Sequence, residues 1–227
     1  MRQIAFQNAK LKVDVQSDAD QSVLDEIFFD RDYAIIEPSI KSAKNGILDV
    51  GAHKGFFVLY ARVLNPSVAI YAYEPEENNF RELKKNLLEN RIENAFPKNV
   101  AVAGREGSVV LHLSEDSHNH TLLPVLPSFD EKKVNAVLLE NILKKMGKCD
   151  LIKMDCEGSE FQIFETAPDS VFQAVPVFFL EYHEFTDEMR VSNLMSLFES
   201  KGFNVKIYPS RYDKRMGFLL AEKSKSK

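Results

Sequence analysis

Cysteine is scarce in this chain of 227 residues. Only Cys149 and Cys156 occur, too few for a disulfide framework and wrongly spaced for a metal knuckle. No N-terminal apolar stretch has the form of a signal peptide, and no segment approaches membrane-spanning length. A soluble, cytoplasmic protein without membrane insertion is therefore expected. Positive charge is not in excess either: the formal net charge is -5 and the pI about 5.6. With Lys and Arg scattered among acids, the broad electropositive surface that a phosphate backbone needs is missing, so no nucleic-acid partner is expected. There is also no internal repeat and no low-complexity linker. A hydrophobic content of 44% suits one sizeable core. We expect a single domain at 46–222, a strand-and-helix lead-in at 1–45 belonging to it, and a disordered tail at 223–227, where Lys223, Lys225 and Lys227 stand among serines.

Apolar strand candidates and helix candidates alternate from Ile47 onward, the pattern of a mostly parallel sheet covered on both faces. The strand candidates are Ile47 to Val50, Val68 to Tyr73, Asn99 to Ala103, Val109 to Leu113, Asp150 to Met154 and Val177 to Glu181. Helices are expected over Phe56 to Leu64, Glu76 to Asn90, Glu157 to Thr166 and Asp187 to Lys201. Phe203 to Tyr208 and Gly217 to Ala221 are joined by a loop too brief for a helical crossover, so they should pair antiparallel. In the lead-in, Leu11 to Val15 alternates like a strand, and Asp18 to Phe29 reads as a helix with Asp18 and Gln21 at capping-box spacing. Ser114 to Asp130, with Ser117, His118, Asn119, His120, Pro124 and Pro127, breaks the rhythm. It is long for a compact domain and reads equally as a lid or as a surface excursion.

Two adjoining signals point to a nucleoside-bearing cofactor. Ile47-Leu-Asp-Val-Gly-Ala-His-Lys-Gly55 is a buried strand, a glycine loop and the start of an apolar helix. The next apolar run ends in Glu74, where a carboxylate can accept both hydroxyls of a ribose lying across that loop. The loop lacks the middle glycine of G-x-G-x-x-G, which lets backbone approach a pyrophosphate, and carries Asp49 instead. An acid there repels a diphosphate but suits a ligand with an ammonium and a sulfonium. S-adenosyl-L-methionine carries both, and its carboxylate could be held by the helix N-terminus near His53 to Phe56.

Chemistry is expected at two strand ends. Lys153-Met-Asp155-Cys-Glu157-Gly158 places two acids at the carboxyl end of a central strand, where open α/β sheets bind ligands. If the backbone stays extended, both point to one side. Glu157 also has a plainer use as a helix-entry acid. The run Val177 to Glu184 brings Glu181 and His183 to the neighbouring edge, and His183 suits a base by its intrinsic pKa. Asp155, Glu157, Glu181 and His183 could instead collect a divalent metal. That arrangement ranks second, because capping and ribose binding already explain some of the acids, and no metal is expected.

These segments, with Tyr73-Glu-Pro75, Asn99-Val-Ala-Val102 and Leu180-Glu-Tyr-His183, resemble the FkbM-type S-adenosylmethionine-dependent methyltransferases. Lys153-x-Asp-x-Glu-Gly-x-Glu160 is the most specific match. The resemblance implies a Rossmann-like class I methyltransferase: an α/β fold with a mostly parallel seven-stranded sheet, a C-terminal antiparallel hairpin and helices on both faces. It implies O-methylation of a small-molecule hydroxyl acceptor, such as a sugar or natural product. By position, Asp49, Gly51, Ala52, His53 and Gly55 would line the methionine end of the cofactor. Glu74 and Pro75 would sit at the ribose, Asn99 and Val100 would border the adenine, and Tyr33 would close over the methionine end or simply pack as an aromatic. Asp155, Glu157 and His183 would face the methyl group and the acceptor. Relatives usually show Asn where this chain has His53, and Ser near Phe57 and Val58. Two other classes stay open: a nicotinamide-dependent oxidoreductase and a non-catalytic S-adenosylmethionine-binding protein. The oligomeric state is not legible.

Overall fold

The computed structural model describes residues 1–114, 119–124, 128–211 and 213–223. Ser117, His118 and Pro127 of the long loop and the end of the tail (224–227) lie outside the described residues. The chain opens with a hairpin, β1 (Arg2–Phe6) and β2 (Ala9–Val13), then α1 (Asp18–Phe28), a 3-10 turn (Asp32–Ile36) and α2 (Glu37–Ser42). β3 (Ile47–Val50), α3 (Phe56–Leu64), β4 (Ile70–Tyr73), α4 (Glu77–Glu89) and β5 (Ala95–Lys98) follow. β6 (Ala101–Val102), β7 (Gly107–Leu113) and β8 (Asp130–Val137) form a small sheet of their own. α5 (Leu139–Met146), β9 (Leu151–Met154), α6 (Ser159–Thr166), α7 (Asp169–Ala174), β10 (Val177–His183), α8 (Val191–Ser200), β11 (Phe203–Pro209) and β12 (Met216–Lys223) complete the order.

The main sheet has seven strands in the order β5-β4-β3-β9-β10-β12-β11. The strands β5, β4, β3, β9 and β10 run parallel, while β12 is antiparallel to both β10 and β11. The chain winds outward from β3 to β5 and then returns to β9 on the other side of β3. That reversal opens a crevice at the carboxyl ends of β3 and β9, the usual ligand position in such sheets.

Side-chain alternation along the central strands supplies two cores. Ile47, Leu151, Phe179 and Leu220 face α1 to α4, whereas Leu48, Ile152, Phe178, Leu180 and Leu219 face α5 to α8. On the second face Phe198 sits 4.9 to 5.6 Å from the rings of Phe164, Phe172, Phe178 and Phe203. Four aromatic neighbours around one fully buried ring make it the hub of that layer.

Several boundaries differ from expectation for local reasons. Asn99 to Ala103 is not one strand: β5 ends at Lys98, and β6 joins the small sheet. The strand expected at Leu11 to Val15 lies two residues earlier and pairs with β1, which periodicity had not marked. α1 is capped by Ser17, whose hydroxyl accepts the Asp20 N–H at 3.1 Å, while Asp20 accepts the Gln16 N–H at 2.8 Å. The capping acid is thus Asp20, one residue before the expected Gln21. α6 starts at Ser159 because Glu157 (φ 51°) and Gly158 (φ 90°) are left-handed and cannot belong to a helix. α8 starts only at Val191. β8, α5 and α7 were not anticipated.

Candidate active site

The loop after β3 is shaped by one glycine. Gly51 has φ +74°, and a Cβ there would lie 1.6 Å from the Asp155 carbonyl oxygen. No side chain fits between these two strand ends. Gly51 and Ala52 both donate their N–H to the Tyr73 carbonyl at 3.0 Å, and His53, also left-handed, turns its N–H to Glu74 Oε2 at 2.8 Å. The other Glu74 oxygen accepts the Glu76 N–H at 2.8 Å. Burial pushes the Glu74 carboxyl up to about 7, with these two N–H bonds opposing the shift. Asn99 donates to the Glu74 and Pro75 carbonyls at 2.9 and 3.0 Å and so pins the backbone after β4.

Above these strand ends lies a cavity of about 880 Å³, toward the upper end of the roughly 300–1,000 Å³ of small-molecule sites. Its wall includes Gly51, Ala52 and His53 after β3, Glu74 and Pro75 after β4, Asp155 and Glu157 after β9, and Glu181 of β10. Tyr33 also lines it, packed 5.3 to 5.7 Å from the rings of Phe57, Phe179 and Phe218, so the aromatic-packing reading holds whatever else it touches. Asp49, Gly55, Asn99, Val100 and His183 are not in the wall. Ala101 and Val102 stand there where Asn99 and Val100 were expected.

Asp49 points into the protein instead of the cavity. It is fully buried, and Lys153 Nζ lies 3.4 Å from its Oδ1. Burial raises its carboxyl to about 6 against the pull of that ammonium. Lys153 also donates to the Gly51 carbonyl at 3.1 Å and stands 3.6 Å from Asp155 Oδ2. Burial works against its charge, but Asp49 and Asp155 outweigh it and hold its pKa above the usual lysine value. One cation thus ties β3, the glycine loop and the acid after β9 together. A lysine amid the buried run Leu151-Ile-Lys-Met154 was the signal for this, since a buried lysine requires a partner.

Asp155 and Glu157 do converge with His183, although not through strand parity. β9 ends at Met154, and the left-handed turn at Glu157 aims its side chain. One ligand atom from each of Asp155, Glu157 and His183 falls within 4.8 Å of the other two. His183 is 1% exposed. Its backbone N–H donates to Glu160 Oε1 at 2.9 Å, its Nδ1 lies 3.3 Å from the same oxygen, and its Nε2 lies 3.5 Å from Glu157 and 3.9 Å from Glu181. Burial alone would lower its pKa, but Glu157 and then Glu160 hold it well above the ordinary histidine value. Burial raises Glu157 to about 8, with His183 opposing, and lifts Glu181 well above the carboxylate range.

The lead-in contributes a wall that sequence reasoning had not assigned. Ser22, Asp25 and Glu26 of α1 line the cavity, and burial followed by Asp155 pushes Glu26 up to about 8. α1 is fixed to the glycine loop by Asp20 and Lys54, a buried pair at 2.7 Å. Nothing in the local pattern of α1 marks Glu26; only folding brings it there.

A doubly wound sheet with this strand order, one antiparallel insertion and a cavity over the switch point defines the Rossmann-like class I methyltransferases. Residues 49–205 match the methyltransferase FkbM domain. The chain belongs to the FkbM methyltransferase family. It is 22% identical over 224 residues to Methyltransferase 1 of Beauveria bassiana (strain ARSEF 2860), covering 88% of each chain. A shorter stretch of 67 residues is 34% identical to the 31-O-demethyl-FK506 methyltransferase FkbM of Streptomyces tacrolimicus, covering 30% of this chain and 25% of that protein. Among solved structures, the N-terminal domain of EvdMO1 in the presence of SAH and D-fucose matches in fold with a TM-score of 0.54 at 12% identity. That match covers 86% of this chain and 82% of that N-terminal domain's chain. No helix among the described residues is long and apolar enough to cross a membrane.

Proposed function

We propose that this chain transfers a methyl group from S-adenosyl-L-methionine to a hydroxyl oxygen of a small molecule, a sugar or a related natural product. The observation that carries this reading is one cavity lined both by the held carboxylate of Glu74, after β4, and by Asp155 and Glu157, after β9 on the other side of β3. When bound, S-adenosylmethionine supplies an electrophilic methyl on a positively charged sulfur. Each Glu74 oxygen uses one acceptor position on a backbone N–H and keeps another for a ribose hydroxyl. Asp155 takes the proton of the acceptor hydroxyl as that oxygen attacks, and Lys153 fixes the carboxylate that does so. Glu157 orients the acceptor. His183, outside the wall and enclosed by Glu157, Glu160 and Glu181, serves as their positioning partner and not as the base. Asp49 serves the site through Lys153 and not by touching the cofactor.

Even with Glu26, Glu157 and Glu181 protonated, Asp25, Asp30, Asp32, Asp155 and Asp213 outnumber Arg31, Lys153 and Arg211 on the wall, which favours an uncharged polyol over a phosphate-bearing acceptor. The relative named for O-methylation and the neighbour solved with D-fucose support a hydroxyl on a natural product or sugar. Calorimetry should find S-adenosylhomocysteine bound and NADH not bound. Incubation of S-adenosylmethionine with a panel of neutral sugars and polyketide alcohols should then give a product heavier by one methylene in mass spectrometry. Binding of NADH alone would sink the reading.

A further inference from the structure

We propose that Asp155, Glu157 and His183 bind a hard divalent cation, Mn²⁺ or Mg²⁺, at the acceptor end of the cavity. Two carboxylates and an imidazole bring their ligand atoms within 4.8 Å of one another, close enough for small torsional adjustments to reach one ion at bond lengths of about 2.0–2.4 Å. His183 is held as metal-binding imidazoles are. Glu160 takes its backbone N–H and faces Nδ1, which leaves Nε2 turned toward Glu157 and Glu181. A second observation comes from a neighbouring residue in the same cavity wall. Ser159 is 1% exposed and lines this cavity beside Asp155 and Glu157, yet its hydroxyl has no hydrogen-bond partner among the described residues. Such a hydroxyl lacks a partner, and a water on an ion bound by Asp155 and Glu157 would be one. The oxygen-rich donor set with one nitrogen selects manganese or magnesium over softer metals.

The role of the ion rests on the methyl-transfer reading, but its binding does not. The ion would receive the acceptor hydroxyl and make it more acidic. Asp155 would place one oxygen on the ion and take the hydroxyl proton with the other. The acceptor oxygen would form its bond to the methyl carbon as the carbon–sulfur bond breaks, with that electron pair staying on sulfur.

The test is Mn²⁺ binding to the full chain stripped with EDTA, followed by calorimetry and electron paramagnetic resonance with and without S-adenosylhomocysteine. One Mn²⁺ per chain is expected, with electron spin echo modulation from a coordinated imidazole nitrogen in the wild type. Asp155→Asn and Glu157→Gln should each remove the site, and His183→Gln should remove the nitrogen modulation. Glu160→Gln should weaken binding about 10–100-fold by loosening the imidazole. Melting curves show whether each variant is folded, and the wild-type spectrum stands without them. Absence of stoichiometric binding at millimolar Mn²⁺, or a spectrum without nitrogen coupling, overturns the site; in that case a proton on His183 holds these side chains together. If the stripped chain methylates an acceptor in EDTA, the ion's role in the reaction fails while methyl transfer stands, and the binding measurements alone decide the site. If Mn²⁺ binds but S-adenosylhomocysteine does not, the reverse holds.

Discussion

Glu74 is held by the protein alone, and on the proposed reading it would still serve a ligand. Its oxygens accept the N–H groups of His53 and Glu76, which fixes the carboxylate before anything binds. Removing the side chain by Glu74→Ala should weaken S-adenosylhomocysteine binding by about 1.5–3 kcal/mol in calorimetry, the cost of hydrogen bonds to a charged acceptor. The same residue gives the site a pH dependence. Burial, with Glu76 and Asp49 nearby, raises its carboxyl to about 7, so below that pH the free protein holds a proton there. Ribose hydroxyls favour the ionised form, so binding should release the proton. Affinity for S-adenosylhomocysteine should therefore rise as pH goes from about 5.5 to about 8 and flatten above the Glu74 pKa. Glu74→Gln should remove the rise centred near pH 7, because the Glu74 proton is no longer there to release. A wild-type affinity independent of pH would show that Glu74 does not couple to the cofactor.

Elements meet the site through buried charge. α1 is held to the loop before α3 by Asp20, fully buried, and Lys54, whose side chain is nearly so. Asn86 of α4 adds to this junction by donating to the Lys54 carbonyl at 2.8 Å and accepting the Asp14 N–H at 3.2 Å. Removing one member of a buried pair strands the other charge, which typically costs about 3–5 kcal/mol. Asp20→Ala should lower stability by that order in urea denaturation. It should also weaken S-adenosylhomocysteine binding, because α1 supplies Ser22, Asp25 and Glu26 to the cavity wall. Loss of stability with unchanged affinity would mean that α1 is only a cover.

Across the whole molecule, stability is divided between two cores on opposite faces of one sheet, and the cavity sits over the carboxyl ends of its central strands. The Phe198 cluster belongs to the face away from α1. Phe198→Ala leaves a hole among four rings and should cost about 3–5 kcal/mol in urea denaturation. Affinity for S-adenosylhomocysteine, measured well below the unfolding transition, should change little, since Phe198 does not line the cavity. A large loss of affinity at intact fold would show that the two faces are coupled through the sheet.

Local signals written in the chain itself determined most strands of the main sheet, the helices α3, α4 and α6 between them, and the strand ends at which the candidate site lies, but not α5, α7 or the small sheet. Ile47 to Val50 and Phe56 to Leu64 form as read, and the antiparallel pairing of the last two strands follows from a loop too short to cross. Asp155, Glu157 and His183 were legible because a motif and a strand end mark them. What the folded chain alone decided is which way the charges face. Asp49 turns inward to Lys153, His183 is enclosed by acids, and Glu26 arrives from a helix far upstream of Asp155. Sequence periodicity reports which face of an element is apolar. The partner of a buried charge is set by long-range contacts and desolvation, which no local pattern encodes.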